Sequence, residues 1–262
     1  MKVGISTATL FLRKYNEEAL SLFDEWGIKE TEVFLATFSE YEPTFAARLK
    51  EQKGSVRVHS VHVLNTQFEP QLYNDHPRAK QDAYFWLGKV MESARILGAE
   101  CYTFHGLARL KRTFRENFER AGTLTREIAQ FCAGFGARLC YENVEWAFYN
   151  RPGVFGELKA RCPALGGVLD LKQARISGYP YQDYLSEMGN AITHVHVSDY
   201  NDMGRMCLPG RGNFDFDELF ARLRDVGFHG PLLIENYKDD YADLRELQRS
   251  YEFLAEKAEK YS

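Results

Sequence analysis

Four segments of this 262-residue chain share one punctuation: an amphipathic stretch, a glycine, then a β-rich run. They read EWGIKETEVF, ILGAECYTFH, GFGARLCYEN and DVGFHGPLLIEN. A glycine just past a helix is the expected left-handed C-cap. Its recurrence before β-rich runs signals helix-to-strand connections rather than hairpins. Eight strands follow from the pattern: Val3–Thr7, Thr31–Leu35, Arg57–Val63, Cys101–His105, Arg138–Glu142, Gly167–Asp170, Ile192–Val197 and Pro231–Glu235. Helical periodicity lies between them, at Asn16–Trp26, Pro77–Leu97, Phe114–Phe131, Phe216–Val226 and Asp239–Lys257. Pro77 sits where proline favours a helix start. Eight such units of about 33 residues match the roughly 250-residue norm of a (β/α)8 barrel. A doubly wound sheet is the alternative, but it usually has fewer strands. No linker or low-complexity tract divides the chain, so one TIM-barrel domain over 1–262 is expected.

Composition bounds the function classes. Apolar residues make up 45% of the chain, enough for a full-sized core, and the formal net charge is -4. A net negative chain is a poor match for holding a polyanion, so no nucleic-acid partner is expected. No apolar stretch reaches the about 18 residues a membrane span needs. No charged-then-apolar leader precedes the first strand, so we expect no signal peptide and a cytoplasmic location. The five cysteines (Cys101, Cys132, Cys140, Cys162, Cys207) are odd in number and lack any C-x-x-C spacing. That fits neither a disulfide framework nor a zinc knuckle. Cys101 and Cys140 read as small buried apolar residues within strands.

Four polar residues stand where apolar strand runs end: Glu142 in RLCYEN, Asp170 in GGVLD, His196 in ITHVHVSD and Glu235 in PLLIEN. A carboxylate there is costly unless it faces a site or a partner. A barrel gathers strand C-termini at one face, where active sites form. Three carboxylates and one imidazole then make a hard, oxygen-rich set for one divalent ion, Mn²⁺, Mg²⁺, Co²⁺ or catalytic Zn²⁺. Without a cation such carboxylates repel one another, and some must take up protons. The bland alternative is that each residue caps a helix or pairs with Arg or Lys.

Two histidines lie on earlier strands, His62 and His105. Either could bind a second metal, contact substrate hydroxyls or sit satisfied in the core; a polar role facing the site is favoured. Strand alternation points His59 to the opposite face from His62, in a structural role, whereas His194 and His196 share a face. His196 is preferred as the ligand because it lies nearer the strand end. Past the seventh strand, SDYNDMGRMCLPGRGNFDFDELF offers Arg205 and Arg211 for a substrate oxygen or phosphate. Trp146, Phe148, Tyr149, Phe11 and Phe68 are candidates to wall a pocket.

Taken together, KVGIST, SVHV, YENV, the strand-end LD, HVHVSD, LPGRGNFDF and the closing LLIEN resemble the xylose isomerase-like (β/α)8 superfamily. The likeness is to its sugar-phosphate isomerase/epimerase branch, with ketose 3-epimerases and inosose dehydratases. It implies that Glu142, Asp170, His196 and Glu235 bind one divalent ion. It also implies that Glu142 and Glu235 serve as acid and base on a sugar or sugar phosphate, through an enediolate. Epimerisation, isomerisation or dehydration follows, according to where the proton returns or whether a β-hydroxyl leaves. One position departs from the pattern. Ketose epimerases carry a substrate-contacting His three residues past the aspartate, where this chain has Gln173, preceded by Lys172. Glutamine hydrogen-bonds a hydroxyl but does not change charge near neutral pH, which sets ordinary ketose 3-epimerase activity apart from the expectation. Glu145 is a candidate supporting residue. Substrate contacts are thus expected from His62, His105, Gln173, Arg205 and Trp146.

Endonuclease IV shares the superfamily and uses three zinc ions. His62, His105, Glu142, Asp170, His196 and Glu235 could have counterparts in such a cluster. Gln173 and the absence of an Asp-x-His pair after the seventh strand count against it. A barrel that binds metal or carbohydrate without chemistry is a third reading. The outer helices of such barrels often associate, which admits a homodimer or tetramer.

Overall fold

The computed structural model describes residues 1–64, 67–109 and 116–261. The strands are β1 (Lys2–Ser6), β2 (Glu30–Leu35), β3 (Arg57–Val63), β4 (Cys101–Phe104), β5 (Arg138–Glu142), β6 (Gly166–Asp170) and β7 (Ile192–Val197), a short hairpin of β8 (Asp199–Tyr200) and β9 (Met206–Cys207), and β10 (Pro231–Ile234). β1 to β7 and β10 close into a parallel barrel, with β10 hydrogen-bonded to both β7 and β1. The helices are α1 (Asn16–Glu25), α2 (Pro43–Gln52), α3 (Pro77–Leu97), α4 (Phe118–Ala133), α5 (Val154–Arg161), α6 (Leu171–Ile176), α7 (Tyr181–Met188), α8 (Phe216–Asp225) and α9 (Leu244–Lys260). The fold is the (β/α)8 barrel. Among the described residues no helix is long and apolar enough to cross a membrane.

Local chemistry explains the boundaries. The four punctuating glycines, Gly27, Gly98, Gly136 and Gly227, all have φ between 70° and 85°, the left-handed region where glycine alone is unstrained. The first strand stops at Ser6 because its hydroxyl accepts from Ala8 N and opens a 3₁₀ turn. The expected start of α4 at Phe114 lies outside the described residues; α4 runs from Phe118, and Asn117 caps it by accepting from Arg120 N at 2.9 Å. The last helix begins at Leu244 rather than Asp239. Asp243 takes the cap position, accepting from Arg245 N and Glu246 N, and residues 238–240 form a separate turn.

Alternation along the strands builds two different interiors. Val3 and Ile5, Val33 and Leu35, Val61 and Val63, Leu139 and Tyr141, Val195 and Val197, Leu232 and Ile234 point outward into the main apolar core shared with the helices. Each such side chain, fully buried, is worth ~1.5–3 kcal/mol. The inward positions are unlike the branched apolar layers usual in such barrels. They carry Ser6, Glu32, Ser60, His62, Thr103, His194 and His196, all buried, around a small apolar plug of Cys101, Cys140 and Val168.

The β2–β3 ladder slips once. Thr31 pairs with Val58, but Glu32 pairs with Ser60, leaving His59 as an extra residue on β3. A bulge of this kind resets which side chains face inward. His59 therefore lies inside the barrel, its ring 5.1 Å from that of His194. This overturns the expectation that it points away from His62, which assumed unbroken alternation.

Candidate metal and catalytic site

The C-terminal ends of β5, β6, β7 and β10 bring Glu142, Asp170, His196 and Glu235 together. One potential ligand atom from each lies within 4.8 Å of the others, and all four residues are buried. His196 Nδ1 is 3.0 Å from Glu142 Oε1, 3.2 Å from Glu235 Oε2 and 3.8 Å from Asp170 Oδ2. Asp170 divides its work. Oδ1 caps α6 by accepting from Gln173 N at 2.7 Å, while Oδ2 faces His196. The helix-capping alternative thus describes one oxygen of one residue and leaves the cluster unexplained.

The electrostatics of the cluster call for positive charge. Burial pushes the Asp170 carboxyl up to about 7, with Lys172 opposing and Glu142 adding to the rise. Burial works against charge on His196, yet Glu235, Glu32 and Glu142 hold its imidazole well above the usual value. Glu142 Oε2 and Glu235 Oε2 are buried with no hydrogen-bond partner. Carboxylates crowded this way must bind protons or a cation, and an oxygen-rich set with one imidazole suits a hard or borderline divalent ion.

The site opens into a cavity of about 590 Å³ lined by His62, His105, Arg109, Trp146, Gln173 and Tyr237, among others. His62 Nε2 and His105 Nε2 are 2.9 Å apart, and His105 Nε2 is 3.2 Å from Glu142 Oε2. His62, His105 and Glu142 form a second convergent set sharing Glu142 with the first. Burial opposes charge on His105, but Glu142 and Glu69 raise it to about 10. Trp146 lies against His105, ring centroids 5.3 Å apart. Gln173 Oε1 accepts from Glu145 N at 3.2 Å, leaving its amide NH₂ free for other work.

Other candidates fall elsewhere. Arg205 is exposed in the turn between β8 and β9, where Asn201 holds its backbone through both N and O, so its side chain does not line the cavity. Arg211 is also exposed and pairs with Glu246 at 3.3 Å. Of the five expected wall aromatics, Phe11 and Trp146 line the cavity, whereas Phe68, Phe148 and Tyr149 are buried in the main core. Glu145 is exposed.

Three buried residues stand behind the cluster; the sequence reading missed Glu32 and Glu69 and gave Lys172 no role. Glu32, mid-strand on β2, accepts from Ser60 Oγ (2.7 Å) and Thr103 Oγ1 (2.5 Å), and lies 3.0 Å from His196 Nε2. A carboxylate behind a ligating imidazole fixes its tautomer and orientation. Glu69 accepts from Tyr102 Oη at 2.6 Å and from the backbone of His105. Lys172 is buried with its ammonium 3.8 Å above the Tyr237 ring. Burial opposes that charge, but Asp170 and Glu235 hold it. No strand-end signal marks Glu32 or Glu69, whereas Lys172 lies two residues past Asp170.

The chain matches the family described as xylose isomerase-like TIM barrel over residues 19–257. It belongs to that family. A partial relative among known proteins is the uncharacterised MJ1311 of Methanocaldococcus jannaschii, 33% identical over 142 residues. That match covers 50% of this chain and 45% of the relative, so the chain spans under half of the relative's length. Similar solved structures include a D-psicose 3-epimerase from Clostridium cellulolyticum H10 crystallised with D-tagatose, at TM-score 0.81 and 17% identity, covering 100% of this chain and 99% of that one. A D-tagatose 3-epimerase-like protein matches at TM-score 0.81 and 20% identity over 100% and 98% of the two chains. The IolI protein with a bound zinc atom matches at 0.77 and 17%, again over 100% and 98%. At these identities the likeness to the solved structures is one of fold.

Proposed function

We propose that this member of the xylose isomerase-like family is a divalent-metal-dependent isomerase or epimerase of a sugar or sugar phosphate. The observation that carries the reading is the convergence of Glu142, Asp170, His196 and Glu235 beneath a sugar-sized cavity. Cavities of roughly 300–1,000 Å³ are typical of small-molecule sites. The named ligands would hold Mn²⁺, Mg²⁺, Co²⁺ or Zn²⁺, the dication that the unpartnered carboxylate oxygens and the raised Asp170 call for. Such an ion, when bound, supplies Lewis-acid polarisation of a carbonyl and its neighbouring hydroxyl.

The chain's own residues do the rest. Glu142 and Glu235 act as the acid–base pair. One takes the proton from the carbon next to the carbonyl, and the other returns a proton to that carbon or its neighbour. Trp146 offers an apolar face against the sugar ring. Gln173 donates its amide to a hydroxyl, and His62 and His105 reach hydroxyls from the β3 and β4 side. Glu32 and Lys172 hold charge and orientation from behind. Loss of a β-hydroxyl, as in an inosose dehydratase, would use the same groups and differ only in product.

The test is turnover of a panel of ketoses, ketose phosphates and inososes by metal-stripped protein, with and without each ion. Ion-dependent change of configuration or carbonyl position is expected. Turnover indifferent to complete removal of divalent ions would overturn the reading. The His62–His105–Glu142 set favours a second reading, a multi-ion centre of the endonuclease IV kind. It predicts salt-sensitive DNA binding, which the sugar reading does not.

A further inference from the structure

The opposite mouth of the barrel holds a cluster that the proposed chemistry does not use. The bulge in β3 turns His59 inward, where it meets Cys101 of β4 and His194 of β7. One ligand-capable atom from each lies within 4.8 Å of the others, and all three residues are buried. Both ring nitrogens of His59 are buried without a hydrogen-bond partner. A buried imidazole with neither nitrogen satisfied is costly to keep. His194 has its Nε2 engaged, 3.0 Å from Thr103 Oγ1 and 3.4 Å from Glu32 Oε2. A carboxylate on one ring nitrogen is the partner that metal-ligating histidines usually carry; the other, Nδ1, lies 3.2 Å from Thr193 Oγ1, whose hydroxyl also donates to Gly167 O, and an ion would replace that contact.

We propose that His59, Cys101 and His194 form a second metal site at the N-terminal mouth of the barrel, taking a borderline-soft divalent ion such as Zn²⁺ on one thiolate and two imidazoles. It stands independently of the sugar chemistry assigned to the other mouth. One thiolate and two imidazoles suit Zn²⁺ better than Mg²⁺ or Mn²⁺. Three protein ligands leave a fourth position. A cavity of about 400 Å³, lined by Lys2, Arg57, His59, Cys101, Arg138 and His229 among others, gives that position access to solvent. The cations at its rim are largely answered. Glu30 pairs with Lys2 and Arg57 at 2.7 Å each, and Glu100 pairs with Arg57 at 2.7 Å.

Burial, with His194 and Arg57 adding, lowers His59 to about 3, so its imidazole is neutral at neutral pH and one ring nitrogen offers a lone pair. The hydrogen bond with Cys140 and burial hold the Cys101 thiol well above its ordinary value. Coordination therefore forms one sulfur–metal bond and sends one thiol proton to solvent, as a coordinating ion deprotonates its thiol outright.

The experiment titrates metal-stripped, full-length protein with Co²⁺ and follows the near-ultraviolet thiolate-to-cobalt charge-transfer band. The carboxylate-and-histidine cluster at the other mouth has no thiolate and cannot give that band. We expect the band to reach its limit once both mouths are filled, with an intensity of one thiolate-bound Co²⁺ per chain, to persist in Asp170→Asn and Cys207→Ser, and to disappear in both Cys101→Ser and His59→Gln. The second of these removes no sulfur, so a folding defect of the cysteine variant does not decide the outcome. A wild-type protein saturated with Co²⁺ but lacking the band, or a band surviving both substitutions, would overturn the proposal.

Discussion

Glu235 and Glu32 carry the account at the level of single residues. Glu235 ends β10 with a carboxylate oxygen that has no hydrogen-bond partner, so it is available for work. Replacing it with Gln keeps the shape and removes the basicity. We expect Glu235→Gln to lower turnover by ~10²–10⁴-fold, the usual contribution of a general acid or base, with an unchanged circular-dichroism spectrum. Near-normal turnover would sink the acid–base assignment. Glu32 has the opposite character, fully buried and surrounded by hydroxyls and imidazoles. Glu32→Gln should weaken ion binding at the His196 cluster by ~10–100-fold, the typical cost of losing an outer partner, as read by calorimetry. The visible strand-end carboxylates and the hidden Glu32 differ in one physical respect. A strand end is marked by the apolar run before it, whereas Glu32 interrupts ETEVFL in the middle. Only the closed barrel, which leaves its inner face polar, explains why a carboxylate belongs there. Arg205, offered for a substrate oxygen or phosphate, instead sits exposed in a turn held by Asn201.

The loop after β7 shows what such a motif is for at the level of elements. Asp199 accepts from Tyr200 N (2.7 Å) and Phe214 N (2.9 Å) with one oxygen, and from Gly210 N (3.1 Å) and Gly212 N (3.0 Å) with the other. A Cβ on Gly212 would come within 2.2 Å of Tyr200 O, so glycine is required. The SD…LPGRGNFDF pattern is therefore a loop scaffold around one buried carboxylate. Asp199→Ala orphans these donors and should cost about 2 kcal/mol or more. Faster amide hydrogen exchange at Gly210, Gly212 and Phe214 would register it, and unchanged protection there would refute it. Strand identities and helix caps were legible because glycine and proline punctuate them. The β3 bulge was not, since nothing in RVHSVHV distinguishes a regular strand from one carrying an extra residue. That single slip moves His59 from one face to the other.

At the scale of the whole molecule, the eight-unit count made the barrel legible, since each helix-to-strand handover is written in the sequence. The charge stored at its C-terminal mouth becomes visible only once the strands close. Asp170 is raised to about 7 and His105 to about 10. Groups raised on folding stabilise most below their unfolded values, and that contribution is lost as pH rises through the folded ones. His59, lowered to about 3, and His194, also lowered, give the opposite slope up to about pH 6.5 and offset Asp170 there, so metal-free protein should lose thermal stability as pH rises from about 7 to about 10. Glu142 is held well below its ordinary value by His196 and His105 against burial, so its contribution is lost only at lower pH. Adding a divalent ion should flatten that decline, since the ion replaces the bound protons and binds only the folded chain. A melting temperature that climbs over the same range without metal would contradict the charge balance described here.

Proton exchange tests the central claim most directly. The protein is incubated with a divalent ion and the carbohydrate panel in D₂O, the ion is removed, and the substrates are read by NMR. The account predicts deuterium at a carbon adjacent to the carbonyl of at least one substrate. Exchange should be lost on removal of the ion and in Glu235→Gln, and the labelled position should separate epimerisation, isomerisation and dehydration. No exchange in any substrate, with the ion bound at Glu142, Asp170, His196 and Glu235, would contradict it.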